Sequence, residues 1–182
     1  MNNKINNLKD KILELFFKEP EKEFYVREIA RILQKSPATI SKYLKEMKKN
    51  NILESEEKFN HLIFKAADTE KFRQEKLNYN LNLINNSGLI DFLVKEYDPE
   101  AIVLFGSFAK SENTKKSDID LFIISSRKKQ INIEKFESKL GYKVQLFIHS
   151  KQEIEKIKQK NPELINNWIN GIKLYGFLEI FE

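Results

Sequence analysis

The first third of the chain consists of short stretches in which apolar residues recur at helical spacing. They do so over 5–17, over 24–33 and again after Pro37, which predicts three helices. Ser36 is a good N-cap, and Pro37 suits the first position of the third helix. The segments ILESEE and HLIFKA then read as two short strands joined by a polar turn. Residues 1–67 are therefore predicted to form three helices and a β-hairpin.

The third predicted helix has an apolar face and a polar face. Its apolar positions repeat at i, i+3, i+4 and i+7, the pattern of an amphipathic helix, and they are Ile40, Tyr43, Leu44 and Met47. The opposite face carries hydroxyl and lysine side chains, which are Thr39, Ser41, Lys42, Lys45, Lys48 and Lys49. Ala30 is small enough for the second helix to pack closely against the third. Two helices joined by a tight turn are the layout of a helix-turn-helix.

The run REIARILQKSPATISKYLKEM resembles the winged helix-turn-helix of small prokaryotic transcription regulators. The resemblance implies that the third helix enters the major groove of double-stranded DNA, with the hairpin turn near the backbone. We further expect the protein to bind DNA as a homodimer on a palindromic site. The DNA contacts expected on this basis are Ser36, Thr39, Ser41, Lys42 and Lys45. A winged helix that makes only protein contacts has the same pattern and is the alternative.

A linker helix is predicted over residues 68–87, with more apolar positions than a small winged helix can bury. It could connect two domains or mediate dimerisation. The run Asn85-Asn86-Ser87-Gly88 marks a break, after which GLIDFLVKEY resumes as a second helix. The pattern therefore predicts that a second domain begins at residue 88.

Residues 88–182 read as strand, loop, strand, helix and strand after their first helix. The segments that carry this pattern are AIVLFGS, DIDLFIIS, NIEKFESKLG and YKVQLFIHS. Two further helices follow, and a short strand is expected near 173–175. The predicted fold class is α+β or α/β, a winged helix followed by a mixed sheet with helices.

Composition and charge restrict the class of protein. The 182 residues include no cysteine, which excludes disulfides and thiolate metal sites. No secretory signal and no membrane-spanning run is seen, so we expect a soluble, cytoplasmic protein. The net charge is +5, and residues 1–67 hold 14 Lys and Arg against 10 Asp and Glu. This uneven charge favours a polyanionic partner for the first domain.

Two aspartates at the start of a predicted strand need a chemical explanation. Asp118 and Asp120 lie on one face of that strand, roughly 7 Å apart, where they repel each other unless a cation lies between them. Mg²⁺ is suited to such a site because it takes one or two carboxylates together with substrate phosphates. Gly106 allows a ligand to approach the backbone closely, and Ser107 adds a hydroxyl. The pattern predicts a site for a metal-bound triphosphate.

The same stretch resembles a known family. Gly106-Ser107, ten further residues and Asp118-Ile119-Asp120 are similar to the G-S-x10-D-x-D signature of the DNA polymerase β-like nucleotidyltransferases, in particular their minimal class. The resemblance implies a mixed sheet with helices on one side. It implies that Gly106 and Ser107 bind the triphosphate and that Asp118 and Asp120 are catalytic and bind Mg²⁺. The reaction implied is transfer of a nucleoside monophosphate, with ATP the expected donor, to a hydroxyl of a protein or nucleic acid.

One residue departs from the family pattern. The family's third carboxylate is expected on the strand after the helix, where this chain has Gln145. Glutamine can ligate Mg²⁺ weakly but is a poor base. The chain could therefore be a nucleotidyltransferase, and minimal members often serve as antitoxins that modify a toxin partner. Alternatively, it is a winged-helix regulator whose degenerate second domain only senses nucleotide or dimerises.

Overall fold

A computed structural model of the protein describes residues 8–179, and the chain divides between Lys76 and Leu77 into two compact units. The first unit contains α1 (Leu8–Lys18), β1 (Phe24–Tyr25), α2 (Val26–Leu33), α3 (Pro37–Lys49), β2 (Leu53–Lys58) and β3 (His61–Ala66). Its three strands pair antiparallel in the order β1-β3-β2. The three helices and the hairpin confirm the predicted winged helix.

The helix predicted over 24–33 begins later than expected. Phe24 and Tyr25 form the two-residue strand β1, because Phe24 pairs in register with Phe64 of β3 and its ring packs against Phe16 at 5.0 Å. Helix α2 starts only at Val26. Of the first predicted helix, residues 5–7 lie outside the described residues. The remainder forms α1.

Helix α3 has the predicted cap. The Ser36 hydroxyl accepts a hydrogen bond from the Thr39 backbone N–H at 3.1 Å, and Pro37 occupies the first helical position. Ile40, Leu44 and Met47 are buried, as their spacing predicts. The polar face of α3 is thereby left at the surface.

The second unit is built around one four-stranded sheet. Helix α4 (Glu70–Ser87) contains the boundary between the units and is followed by α5 (Leu89–Tyr97), β4 (Ala101–Phe105), α6 (Gly106–Ala109), β5 (Ile119–Ile124), α7 (Glu134–Leu140), β6 (Val144–His149), α8 (Lys151–Lys160), α9 (Pro162–Ile169) and β7 (Ile172–Gly176). The strand order is β6-β5-β4-β7. Only the β5–β6 pair is parallel, so the sheet is mixed, as predicted.

Helices cover both faces of this sheet, which corrects the expectation that they lie on one side. Residues of α4, α5 and α7 share one apolar cluster with Leu104 and Leu121. Residues of α8 and α9 share another with Val103 and Phe122. Trp168 of α9 stacks on Phe122 with ring centroids 3.9 Å apart. The alternation of side chains along β4 and β5 produces these two cores.

Within residues 8–179, every helix is too short or too polar to cross a membrane.

Candidate functional site

The candidate site begins where β4 ends. Phe105, the last residue of β4, pairs in register with Asp120 of β5. Gly106 follows with φ of +68°, and a Cβ added to it would lie 2.4 Å from Asp120 Oδ2. No side chain fits between these groups. Only glycine lets the Asp120 carboxylate lie directly against the backbone at the strand–helix turn.

Two carboxylates share this end of the sheet. Asp118 immediately precedes β5, Asp120 is its second residue, and both are half-buried. Burial raises the pKa of the Asp120 carboxyl above its ordinary value, and the nearby charge of Asp118 raises it further. A bound cation would offset both effects. The two carboxylates therefore favour a proton or a positive ligand at this end of the sheet.

Gln145 lies beside both carboxylates. In the parallel β5–β6 pair it is the register partner of Asp120, and its Nε2 donates a hydrogen bond to Asp118 Oδ2 at 2.6 Å. An exposed glutamine side chain thus occupies one oxygen of Asp118. A carboxylate in the same place would be close enough to share a ligand with Asp118.

Ser107 is the second residue of α6 and is half-buried. Its backbone carbonyl accepts a hydrogen bond from the Glu112 N–H at 2.9 Å, which keeps the following loop close to α6. The structure therefore brings together Gly106, Ser107, Asp118 and Asp120, which the sequence pattern singled out.

Three exposed lysines lie on the loop that joins α6 to β5, and the sequence interpretation did not single them out. They are Lys110, Lys115 and Lys116. The segment is held at its end by a turn in which the Thr114 N–H donates to the Ser117 hydroxyl at 2.9 Å. Three lysines between the Gly-Ser pair and the two aspartates could have indicated a phosphate-binding loop from the sequence alone. They place positive charge on the loop that leads to Asp118.

The donor groups at this end of the sheet could hold a metal ion only in part. Among residues 8–179, no group of three or more His, Cys, Asp and Glu side chains is arranged to hold a metal ion. Asp118 and Asp120 nevertheless supply two carboxylates with hard oxygen donors, and the Asp120 carboxylate lies against Gly106. This set fits Mg²⁺, which keeps several waters and takes the remaining ligands from phosphates. It does not form a complete protein cage.

A surface groove of about 460 Å³ lies at the α7–β6 connection and is lined by Glu134, Glu137, Ser138, Gly141, Tyr142 and Lys143. The Lys143 carbonyl accepts the N–H of Ile119, so the groove begins next to the start of β5. Glu137 accepts hydrogen bonds from the Val144 N–H and from Lys143 Nζ, which lower its pKa. A second cavity, of about 260 Å³, lies in the first unit beside β2 and β3 and has none of the site residues in its lining.

The expected DNA contacts all lie on or beside α3. Thr39, Lys42 and Lys45 are exposed, whereas Ser41 is half-buried. The exposed Ser36 hydroxyl caps the helix and also shares a hydrogen bond with the Thr39 hydroxyl at 2.8 Å. Ser36 therefore has a structural role besides any contact with a ligand.

The wing, which is the hairpin of β2 and β3, differs from α3 in its charged side chains. Strand β2 carries Glu54, Glu56 and Glu57, of which Glu54 pairs with Lys65 at 2.9 Å. Lys58 pairs with Glu23 at 2.6 Å. Helix α3 thus carries four exposed lysines, whereas Lys58 and Lys65 of the wing each pair with a glutamate.

Two family models match separate parts of the chain, one in each compact unit. Residues 87–177 match the family model described as polymerase beta, nucleotidyltransferase, and residues 9–55 match the model described as bacterial regulatory protein, arsR family. Among solved structures, the adhesin competence repressor AdcR from Streptococcus pyogenes is 18% identical over 53% of this chain and 70% of its own, with a TM-score of 0.35. No curated protein matches. The family models confirm both resemblances noted in the sequence.

Proposed function

The chain belongs to the polymerase beta nucleotidyltransferase family, and on that premise we propose that Gly106, Ser107, Asp118 and Asp120 bind a nucleoside triphosphate, ATP, with Mg²⁺. The observation that carries the proposal is the contact between Gly106 and the Asp120 carboxylate, which a Cβ would abolish. It places the Asp120 carboxylate directly against the backbone of the strand–helix turn. A carboxylate held at this turn can bind Mg²⁺ while the phosphates of the substrate supply further ligands.

Each residue has a distinct role in this proposal. Asp118 and Asp120 hold Mg²⁺, which when bound supplies positive charge to the triphosphate and to the oxygens that attack and leave. Gly106 lets the phosphates approach the backbone, and Ser107 offers its hydroxyl. Lys110, Lys115 and Lys116 add a diffuse positive field around the triphosphate.

The reaction we propose is transfer of a nucleoside monophosphate. An acceptor hydroxyl oxygen forms a bond to the α-phosphorus, the bond from that phosphorus to the bridging oxygen breaks, and pyrophosphate leaves. The hydroxyl proton passes to solvent water, because the Gln145 amide cannot accept it. Transfer is therefore slow, because general-base catalysis typically contributes about 10²–10⁴-fold. The acceptor is a hydroxyl of a protein or nucleic acid, and the antitoxin role implies a toxin partner.

A second candidate function is nucleotide sensing without transfer. The observation that favours it is the 2.6 Å hydrogen bond from Gln145 Nε2 to Asp118 Oδ2, because it occupies an oxygen that a third carboxylate would leave to the metal. In this case the second unit would bind Mg²⁺–ATP and regulate DNA binding without turnover.

Incubation with Mg²⁺ and ATP labelled at the α-phosphate separates the two candidates. We expect slow labelling of an acceptor or of the protein itself, with roughly 10²-fold faster labelling in Gln145→Asp, the lower end of what a general base contributes. Asp118→Ala should abolish Mg²⁺-dependent ATP binding, whereas Asp91→Ala, which changes an exposed aspartate of α5, should not. Binding without label in both the native protein and Gln145→Asp would favour sensing.

The winged helix gives the chain a second proposed ligand, double-stranded DNA. Lys42 and Lys45 project from the exposed face of α3, and the domain matches bacterial regulatory proteins. Binding as a homodimer would place two α3 helices on a palindromic site. The glutamates of β2 make the wing a weak partner for phosphates, so α3 should carry most of the electrostatic attraction.

A further inference from the structure

Two asparagine side chains are buried in the second unit. Asn80 of α4 has no exposed surface and Asn113, in the loop between α6 and β5, is 1% exposed. The sequence interpretation placed Asn80 in a linker helix, and it lies outside the residues that match the nucleotidyltransferase model. A buried amide must form hydrogen bonds or destabilise the fold.

The two amides satisfy each other. Asn80 Nδ2 donates to Asn113 Oδ1 at 2.8 Å, and Asn113 Nδ2 donates to Asn80 Oδ1 at 3.3 Å. Asn80 Nδ2 also donates to the Phe108 carbonyl at 3.0 Å. One side chain of α4 thus holds both ends of the segment that runs from α6 into the loop.

This segment is attached to the site at both ends. Phe108 follows the Gly106-Ser107 pair and is fully buried, with its ring 4.9 Å from that of Tyr142. After Asn113, the turn from Thr114 to Ser117 is closed by hydrogen bonds of 2.9 and 3.1 Å and leads directly to Asp118. Movement of Asn113 would therefore be passed to Asp118 through only four intervening residues.

We propose that Asn80 and Asn113 are positioning residues of the nucleotide site, which hold the loop so that Asp118 stays beside Asp120 and Gln145. The inference rests on the proposed function of that site. It makes α4 part of the nucleotide-binding unit. Neither asparagine touches the nucleotide or the metal in this proposal.

The test separates loop order from nucleotide binding. Lys115 and Lys116 are exposed in the loop, so the rate of tryptic cleavage there, followed by intact mass, reports loop order without any nucleotide. In Asn113→Ala we expect cleavage at least about 10-fold faster and Mg²⁺-dependent ATP affinity about 10-fold weaker by calorimetry. Binding of ATP in EDTA, to which Asp118 contributes no metal ligand, should change much less.

Two variants serve as controls. Asn82→Ala removes an exposed asparagine from the same helix and should change nothing. Leu93→Ala weakens the apolar core that α4 and α5 share and should lower the Tm without affecting cleavage or Mg²⁺–ATP affinity well below that Tm. This second control distinguishes positioning from general stability.

The Asn113→Asp variant adds a pH-dependent rescue. A protonated carboxyl can donate to Asn80 Oδ1 as the native amide does, whereas the ionised form cannot. Burial at this position should raise the pKa of the new carboxyl above the ordinary value for aspartate. Cleavage and Mg²⁺–ATP affinity, each divided by the native value at the same pH, should therefore approach the native values as the pH falls.

Three results would overturn the inference. The first is unchanged cleavage in Asn113→Ala, and the second is faster cleavage in that variant with unchanged Mg²⁺–ATP affinity. The third is cleavage as fast and Mg²⁺–ATP affinity as weak in Leu93→Ala as in Asn113→Ala. Failure of the native protein to bind Mg²⁺–ATP would instead refute the proposed function of the site. The cleavage assay would then still decide whether the asparagine pair orders the loop.

Discussion

Gly106 illustrates how one missing side chain shapes the site. Its φ of +68° is in the left-handed region, and its Cα faces the Asp120 carboxylate. Gly141 has a similar φ of +74°, but a Cβ there would meet no atom within 4 Å. The two glycines share a backbone conformation and differ in their surroundings. They form a matched pair for mutation.

Gly106→Ala should be more destabilising than Gly141→Ala. The left-handed backbone should cost each variant about 1–2 kcal/mol, and relief of the overlap with Asp120 should cost Gly106→Ala about 1–3 kcal/mol more. Urea unfolding measures both. Gly106→Ala should also lose Mg²⁺-dependent ATP binding while Gly141→Ala keeps it. Equal stability and equal binding in the two variants would contradict the packing around Asp120.

The raised pKa of Asp120 predicts how the stability of the metal-free protein changes with pH. Its raised pKa means that the folded protein favours the protonated form, so this stabilisation is present at low pH and lost as the pH rises through the folded pKa. Asp120→Asn should therefore raise the Tm of the metal-free protein at pH 7, by about 1–3 °C after allowance for solvent screening. Differential scanning fluorimetry in EDTA measures this. The exposed Asp91→Asn is the control, and a fall in Tm for Asp120→Asn would contradict the electrostatic interpretation.

At the scale of elements, α3 carries exposed lysines, whereas Lys58 and Lys65 of the wing are paired with glutamates. Replacing Lys42 and Lys45 with glutamate should weaken DNA binding and reduce the slope of log affinity against log salt by about 2, if each lysine meets one phosphate. The measurement is an electrophoretic mobility shift assay over a series of salt concentrations, with DNA from upstream of the protein's own gene. Lys156→Glu with Lys160→Glu makes the same charge change on the exposed surface of α8 and should have little effect. An unchanged slope in the α3 variant would indicate a protein-contact domain.

The elements show what the sequence could and could not predict. Helix α3 and strands β4 and β5 were predictable because their apolar periodicity and caps are local. Strand β1 was not, because two residues form a strand only through pairing with β3, nearly 40 residues later. The place of Gln145 on the strand after the helix was predictable from the family pattern, whereas its pairing with Asp120 and its hydrogen bond to Asp118 needed the structure. The buried position of Asn80 in the predicted linker helix could not be predicted, because its partner is 33 residues away.

At the scale of the whole molecule, the boundary between the units lies inside a continuous helix. Lys76, at that boundary, is buried, and Asn80 and Ile84 belong to the second unit. Exposed trypsin sites nearby are Lys71 and Arg73. Limited trypsin digestion should therefore produce a stable C-terminal fragment that begins at 72 or 74, as judged by mass spectrometry. A stable fragment beginning near residue 88 would show that the second half of α4 is dispensable.

The strand order of the second unit has a consequence for protein synthesis. Strand β7 is made after the other strands of its sheet but pairs beside β4, the first of them. The first unit needs only residues up to 76, so it can fold while the roughly 100 residues up to the end of β7 are still to be translated. At about 5–20 residues per second this interval lasts on the order of 5–20 s. A nascent chain stalled on the ribosome within this interval would carry a folded winged helix but no completed nucleotide site.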